Sequence, residues 1–168
     1  MHTPVNLRHA DLLNFVDHLL RRYLEPRRLG RLYREVVAVR LGSRNVFLPD
    51  LAFIPEARLN ELQPSHIPFA PTLVVEALSE FTSDRDIGPK FAAYEEHGVE
   101  EYWILDPETR AHRFYRRVGE ILTEYGRGED RIPSHAVTGF FLRRRWLDPA
   151  HLPSVADCFL DIEQGEGE

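Results

Sequence analysis

The chain has 168 residues, 43% of them hydrophobic and 11% aromatic, and a formal net charge of −6. That is enough apolar material for one packed core, which excludes general disorder, and the acidic balance argues against a protein that coats nucleic acid non-specifically. A single cysteine, Cys158, rules out an internal disulfide framework or a cysteine-rich zinc site. No apolar run approaches the roughly 20 residues of a membrane span, and without a signal-peptide core near Met1 the expected location is cytoplasmic.

Residues 5–24 carry Leu12, Val16, Leu19, Leu20 and Tyr23 on one helical stripe, so the spacing predicts an amphipathic helix that Thr3-Pro4 starts and Pro26 and Gly30 close. Residues 35–41 alternate, with Val37, Val39 and Leu41 on one face. The turn at 42–45 joins them to a second strand over 46–54, as a hairpin. A proline-spaced loop follows over 55–71. Residues 72–78 are almost wholly apolar and predict a central strand buried on both faces.

A second helix is expected over 83–97, with Pro89 tolerated in its first turn and Gly98 as the stop. Strands are expected at 101–105, 111–118 and 120–125, and a last one over 137–147. The acidic residues 161–168 read as a flexible tail. The expected fold is therefore one α/β (or α+β) domain over residues 1–160, built on a mixed sheet flanked by helices.

Two carboxylates interrupt this apolar pattern. Asp50 lies in the run 47–53 and Glu76 in the run 73–78. A carboxylate there is costly to bury unless it is paired or bound to a cation. On neighbouring strands the two could share one divalent ion, and Mg²⁺ suits a pair of carboxylates because it keeps waters and substrate phosphates in its other positions. Taken alone, Asp50 also reads as a turn residue after Pro49, and Glu76 as the partner of an arginine.

A third position stands out by composition. Of the 21 basic residues, 20 are arginine and one is lysine, Lys90. Coding bias explains the skew, and under that bias a surviving lysine marks a place where a compact ammonium differs from a guanidinium fork. Lys90 follows Glu76 by 14 residues and shares a helix face with Asp86 and Tyr94. Arg143-Arg144-Arg145 reads as a solvated strand edge or a phosphate contact. No His-metal spacing, phosphate-binding loop or nucleophile elbow is present in the sequence.

Taken together, Pro49-Asp50, the run 73–79 (Leu-Val-Val-Glu-Ala-Leu-Ser), Thr82, Asp86, Lys90, Tyr94 and the run 98–107 (Gly-Val-Glu-Glu-Tyr-Trp-Ile-Leu-Asp-Pro) resemble the putative restriction-endonuclease family of bacterial proteins, within the PD-(D/E)XK nuclease superfamily. The resemblance spans about residues 5–150. It implies a restriction-endonuclease-like core, with Asp50 and Glu76 binding Mg²⁺ or Mn²⁺ and DNA as the partner. The superfamily lysine usually stands two residues after the glutamate. Leu78 occupies that place here, and Lys90 resembles a lysine that has migrated to the following helix. An acidic strand that usually precedes the first helix is not evident, so Glu35 is a conceivable substitute, and His9 falls where the family often has a histidine.

The resemblance implies a Mg²⁺-dependent endonuclease acting on DNA, working as a homodimer by analogy with its relatives. The alternatives are a nuclease fold that has lost activity and serves as a binding or assembly module, and a hydrolase for RNA or another phosphodiester.

Overall fold

The computed structural model describes residues 6–35, 37–42, 45–79 and 84–165. Helix α1 (Leu7–Arg27) starts at Asn6, whose side chain accepts a hydrogen bond from the His9 amide at 2.9 Å. Asparagine is among the best N-caps because its oxygen satisfies an orphan N–H of the first turn. The expected start at Thr3-Pro4 lies outside the described residues. Pro26 does not end the helix. It sits in the last turn, and the chain leaves through Arg28 in the left-handed region.

A strand that the sequence pattern did not suggest follows at once: β1 (Gly30–Arg34). Gly30, read as a helix stop, is instead where β1 presses on the neighbouring strand. A Cβ there would lie 2.1 Å from the Ile54 carbonyl oxygen, so no other residue fits.

The hairpin is present as β2 (Ala38–Leu41) and β3 (Asn45–Phe47), with Val39 opposite Phe47. The expected strand over 46–54 is broken in two. Between β3 and β4 (Leu51–Pro55) lie Leu48, Pro49 and Asp50. Proline has no N–H to donate, so a ladder cannot run through it. The chain changes sheets at that point. β3, β2 and β5 (His66–Ile67) form a small sheet, while β4 joins the main one.

Beyond β6 (Leu73–Ala77), helix α2 (Asp84–Glu96) crosses over to β7 (Glu101–Leu105), which pairs parallel to β6. Pro89 lies past the first turn of α2, where it removes a hydrogen bond. Gly88 immediately before it has no Cβ to clash with the proline ring, which lets the helix continue. Antiparallel strands β8 (Arg113–Val118) and β9 (Ile121–Tyr125) complete a six-stranded sheet of order β1-β4-β6-β7-β8-β9.

The expected last strand over 137–147 shrinks to β11 (Phe141–Arg143), which pairs with β10 (Arg131–Pro133) and runs into a 3-10 turn at Arg144–Leu147. Helix α3 (Val155–Gly165), absent from the sequence reading, carries the chain through Asp161, where an acidic tail was expected to begin.

The layers follow from strand alternation. Leu51, Phe53, Leu73, Val75, Trp103 and Leu105 face one side, packed under α1 and α3. Ala52, Ile54, Val74, Tyr102 and Ile104 face the other, packed under α2 and the small sheet. Every residue of β6 and β7 is buried, as the apolar run at 72–78 required.

One buried histidine ties the far edge together. The Asp106 amide donates to His112 Nδ1 at 3.1 Å, and His112 Nε2 donates to the Leu147 carbonyl at 3.0 Å. Those partners fix a neutral tautomer, since a second ring proton would oppose the Asp106 N–H. Burial, with the Arg144 guanidinium nearby, pushes the His112 pKa down to about 4 from 6.5, against the bond to Leu147. Above pH 6.5 the ring is neutral in both folded and unfolded chains. As pH falls below that, the unfolded chain takes a proton that the fold refuses, and stability drops until about pH 4. This linkage amounts to about 3 kcal/mol at most. Urea unfolding between pH 7 and pH 4 should show His112→Gln, less stable than wild type at neutral pH, closing that gap on acidification. A constant gap would show that His112 does not control the acid response.

Candidate active site

Three elements meet at the C-terminal end of β6. Leu51 pairs with Val75 in the antiparallel β4–β6 ladder, so one step further Asp50 stands opposite Glu76. The Asp50 side chain closes the ladder where Pro49 ends it: its Oδ2 accepts from the Ala77 amide at 2.7 Å. That bond fixes the carboxylate beside Glu76 and leaves its second oxygen for another partner. On the β1 side, the Glu35 amide donates to the Asp50 carbonyl at 3.0 Å.

Glu76 is 8% exposed. Each of its oxygens has one donor, and both donors come from α2. Lys90 Nζ lies 2.8 Å from Oε2, and the Tyr94 hydroxyl donates to Oε1 at 2.9 Å. Lys90 and Tyr94 are one helical turn apart, so one face of α2 presents both. Phe47 of β3 packs against the Tyr94 ring at 5.4 Å between centroids, so the small sheet walls in the tyrosine.

Both carboxyls are held above the usual carboxylate range. For Glu76 the main cause is burial, with the neighbouring Asp50 adding to it and Lys90 opposing it. For Asp50 burial again leads, opposed by the Ala77 amide, His9 and Lys90, while Glu35 pushes the same way as burial. Burial with Glu76 alongside also raises the Tyr94 phenol far above its ordinary value, so it stays a donor. Two desolvated carboxyls side by side, with a single ammonium between them and neutrality, make a place that favours a cation. An all-oxygen pair suits Mg²⁺ or Mn²⁺. Among the described residues no three His, Cys, Asp or Glu side chains converge as a metal cluster.

The sequence-predicted residues Asp50, Glu76 and Lys90 are thus brought together. Asp86 lies outside the described side chains. The two residues named beside the family resemblance, Glu35 as a conceivable substitute acid and His9 without a role, fall beside the site. His9, at the start of α1, has Nδ1 3.2 Å from the Leu78 carbonyl and acts electrostatically on Asp50, as does Glu35 at the end of β1. Tyr94 as a Glu76 ligand went unread, although its spacing from Lys90 placed it on the right face. Arg143 and Arg145 are taken by acids: Arg143 meets Asp161 at 2.6 Å, and Arg145 pairs with Asp130.

Two acids and a lysine are thus gathered where a helix-flanked mixed sheet presents the end of its central strand β6. The model of the Uma2 family, described as putative restriction endonuclease, matches residues 1–145. The chain belongs to that family. A crystal structure of a putative nuclease of the DUF820 group from Anabaena variabilis shares the fold, with a TM-score of 0.66 and 17% identity over 96% of this chain and 86% of that one. No curated protein matches the chain.

Tyr94→Phe removes the donor to a buried carboxylate oxygen and nothing else. Leaving that oxygen unpaired costs about 2 kcal/mol. Thermal unfolding should drop by on the order of 5 °C for a chain this size. An unchanged midpoint would mean that water or a rearranged Lys90 replaces the phenol.

Proposed function

We propose that the protein is a Mg²⁺- or Mn²⁺-dependent endonuclease of the PD-(D/E)XK type that hydrolyses phosphodiester bonds in DNA. The observation that carries this reading is the contact of Lys90 Nζ with Glu76 Oε2 at 2.8 Å, across 14 residues, directly beside Asp50. Two acids and one ammonium gathered at a strand end are the side chains that such hydrolysis calls for. Family membership supports the same reaction class.

Asp50 and Glu76 would hold the metal. When bound, the ion supplies a Lewis acid for the phosphoryl oxygen and lowers the pKa of an attacking water. Ala77 N–H and Tyr94 keep the two carboxylates oriented. Lys90 is half-buried and offers an ammonium to a non-bridging phosphate oxygen, offsetting charge as the attacking oxygen adds and the P–O bond to the leaving oxygen breaks. Cutting both strands of a duplex calls for two such sites, which a two-fold dimer would provide.

Calorimetric titration of Mn²⁺ tests the metal assignment. Binding should be seen in wild type and lost in Glu76→Ala, and equal binding in both sinks it. Plasmid nicking tests Lys90. Lys90→Arg keeps the charge but replaces the point donor with a fork, and nicking should fall about a hundredfold. Full activity in that variant removes Lys90 from the chemistry. Metal binding without nicking in wild type would favour the inactive binding module.

A further inference from the structure

The main sheet ends in β1 on one side and β9 on the other. An open edge offers a row of unpaired N–H and C=O groups to any strand that reaches it. The β9 edge is blocked by a side chain: Glu95 of α2 reaches over it, and its Oε2 accepts from the Leu122 amide at 2.7 Å. Among the described residues no side chain does the same for β1.

The ladder with β4 decides which groups β1 leaves open. The Glu56 amide donates to the Leu29 carbonyl and the Glu35 amide to the Asp50 carbonyl, both at 3.0 Å. Antiparallel bonds fall on alternate residues, so Arg31 and Tyr33 also bond to β4, while Gly30, Leu32 and Arg34 turn their N–H and C=O outward. Beside that edge runs an open groove of about 460 Å³, walled by Leu24, Glu25 and Arg28 at the end of α1. The helix stands next to the edge without covering it.

The β1 side chains divide between the two faces of the sheet. Leu32 packs under α1. Tyr33 packs on the other face, the one that carries Asp50 and Glu76, and Arg31 and Glu35 alternate with it onto that face. Arg31 and Glu35 are exposed, and among the described residues neither makes an ion pair. Four residues apart on one strand, roughly 13 Å, they cannot meet each other.

We propose that this edge pairs with β1 of a second copy of the chain, antiparallel, about a two-fold axis at Tyr33. That register sets Leu32 opposite Arg34 of the second copy, so the outward main-chain groups of both meet on either side of the axis. It also sets Arg31 opposite Glu35 of the second copy, and the symmetry makes this pair twice. Opposite charges directly across a sheet stabilise a strand pair, and like charges destabilise it. A register with Arg31 or Glu35 on the axis would set like charges together. The two six-stranded sheets then run on as one, with both Asp50–Glu76 pairs on the same face. Each copy brings its Arg31 to the Glu35 that borders the other copy's Asp50. The pairing stands on the edge alone. It goes beyond the nuclease reading and supplies the two-fold axis which that reading asks for.

Sedimentation equilibrium of the full chain, in EDTA and without DNA, measures the association. Wild type should form a dimer. Arg31→Glu faces Glu35 of the second copy and should weaken the dimer about tenfold or more, and Glu35→Arg should do the same. The double variant Arg31→Glu/Glu35→Arg restores opposite charges and should recover most of the loss. Only a contact between copies can produce that rescue, because the two positions are out of reach within one chain. Tyr33→Cys tests the axis. Residues facing each other in a non-hydrogen-bonded pair have Cα atoms about 4.5 Å apart, within disulfide range. Mild oxidation should therefore give a covalent dimer of Tyr33→Cys and none of Arg31→Cys, while Cys158 is buried and does not compete.

Thermal melts show that each variant is folded. A monomeric wild type overturns the proposal. A dimer that folded Arg31→Glu leaves unchanged, a double variant no tighter than the single ones, or a folded Tyr33→Cys that fails to cross-link overturns it as well. Plasmid nicking with Mn²⁺ keeps the two readings apart. Nicking by a chain that sediments as a monomer leaves the nuclease and removes the interface. A dimer that passes these tests without nicking leaves the interface and removes the nuclease.

Discussion

The constraint behind the site is a carboxylate placed in a strand that is covered on both faces. β6 is buried from end to end, and a charge there costs several kcal/mol unless something answers it. The answer comes from the helix that leaves the same strand. α2 returns over β6 with Lys90 and Tyr94 one turn apart, and each takes one oxygen of Glu76. The parallel β6–α2–β7 crossover is therefore more than a connection. Its packing sets the distance between helix and sheet at which both donors reach.

The second acid is positioned by a defect. Pro49 cannot donate to a ladder, so the strand expected over 46–54 separates into β3 and β4 in different sheets. Asp50 falls at that break and finishes the main ladder with its side chain on the Ala77 amide. The alternation of 46–54 was legible as strand, but the change of sheet was not, because periodicity reports which residues face a core and not which core. That the hairpin leaves the main sheet and covers Tyr94 together with β5 was hidden for the same reason. β1 and α3 went unread on other grounds: β1 is a short edge strand starting at a glycine that reads as a helix stop, and the second half of α3, from Asp161, falls where acids suggested a tail.

Glu101 shows the limit of the criterion that found Glu76. Both are acids in apolar central strands, and Glu101 is the more buried, with no exposed surface. On the opposite side of the sheet it receives hydrogen bonds from Trp103 Nε1, the Tyr125 hydroxyl, Ser134 Oγ and the amides of His135 and Ala136. Those donors fill both oxygens and pin the 134–140 segment to β7, so Glu101 acts as a structural anchor. Sequence alone singled out Glu76 and passed over Glu101. It cannot tell one saturated by neutral donors from one left facing a second carboxylate, because the difference lies in segments some thirty residues apart in sequence. Only the spacing to Lys90 and the motif around it favoured Glu76.

The lysine itself has a geometric reason. Glu76 divides its two oxygens between two single donors at 2.8 and 2.9 Å, one an ammonium and one a phenol. A guanidinium presents a planar fork that prefers both oxygens of a carboxylate at once. At position 90 it would compete with Tyr94 for Oε1 and draw the carboxylate out of line with Asp50. The ammonium makes a single bond to the carboxylate, at Oε2, and leaves Oε1 to the phenol. In a chain that uses arginine at 20 of 21 basic positions, the lysine stands where a fork would compete with a neighbour that the buried acid also needs.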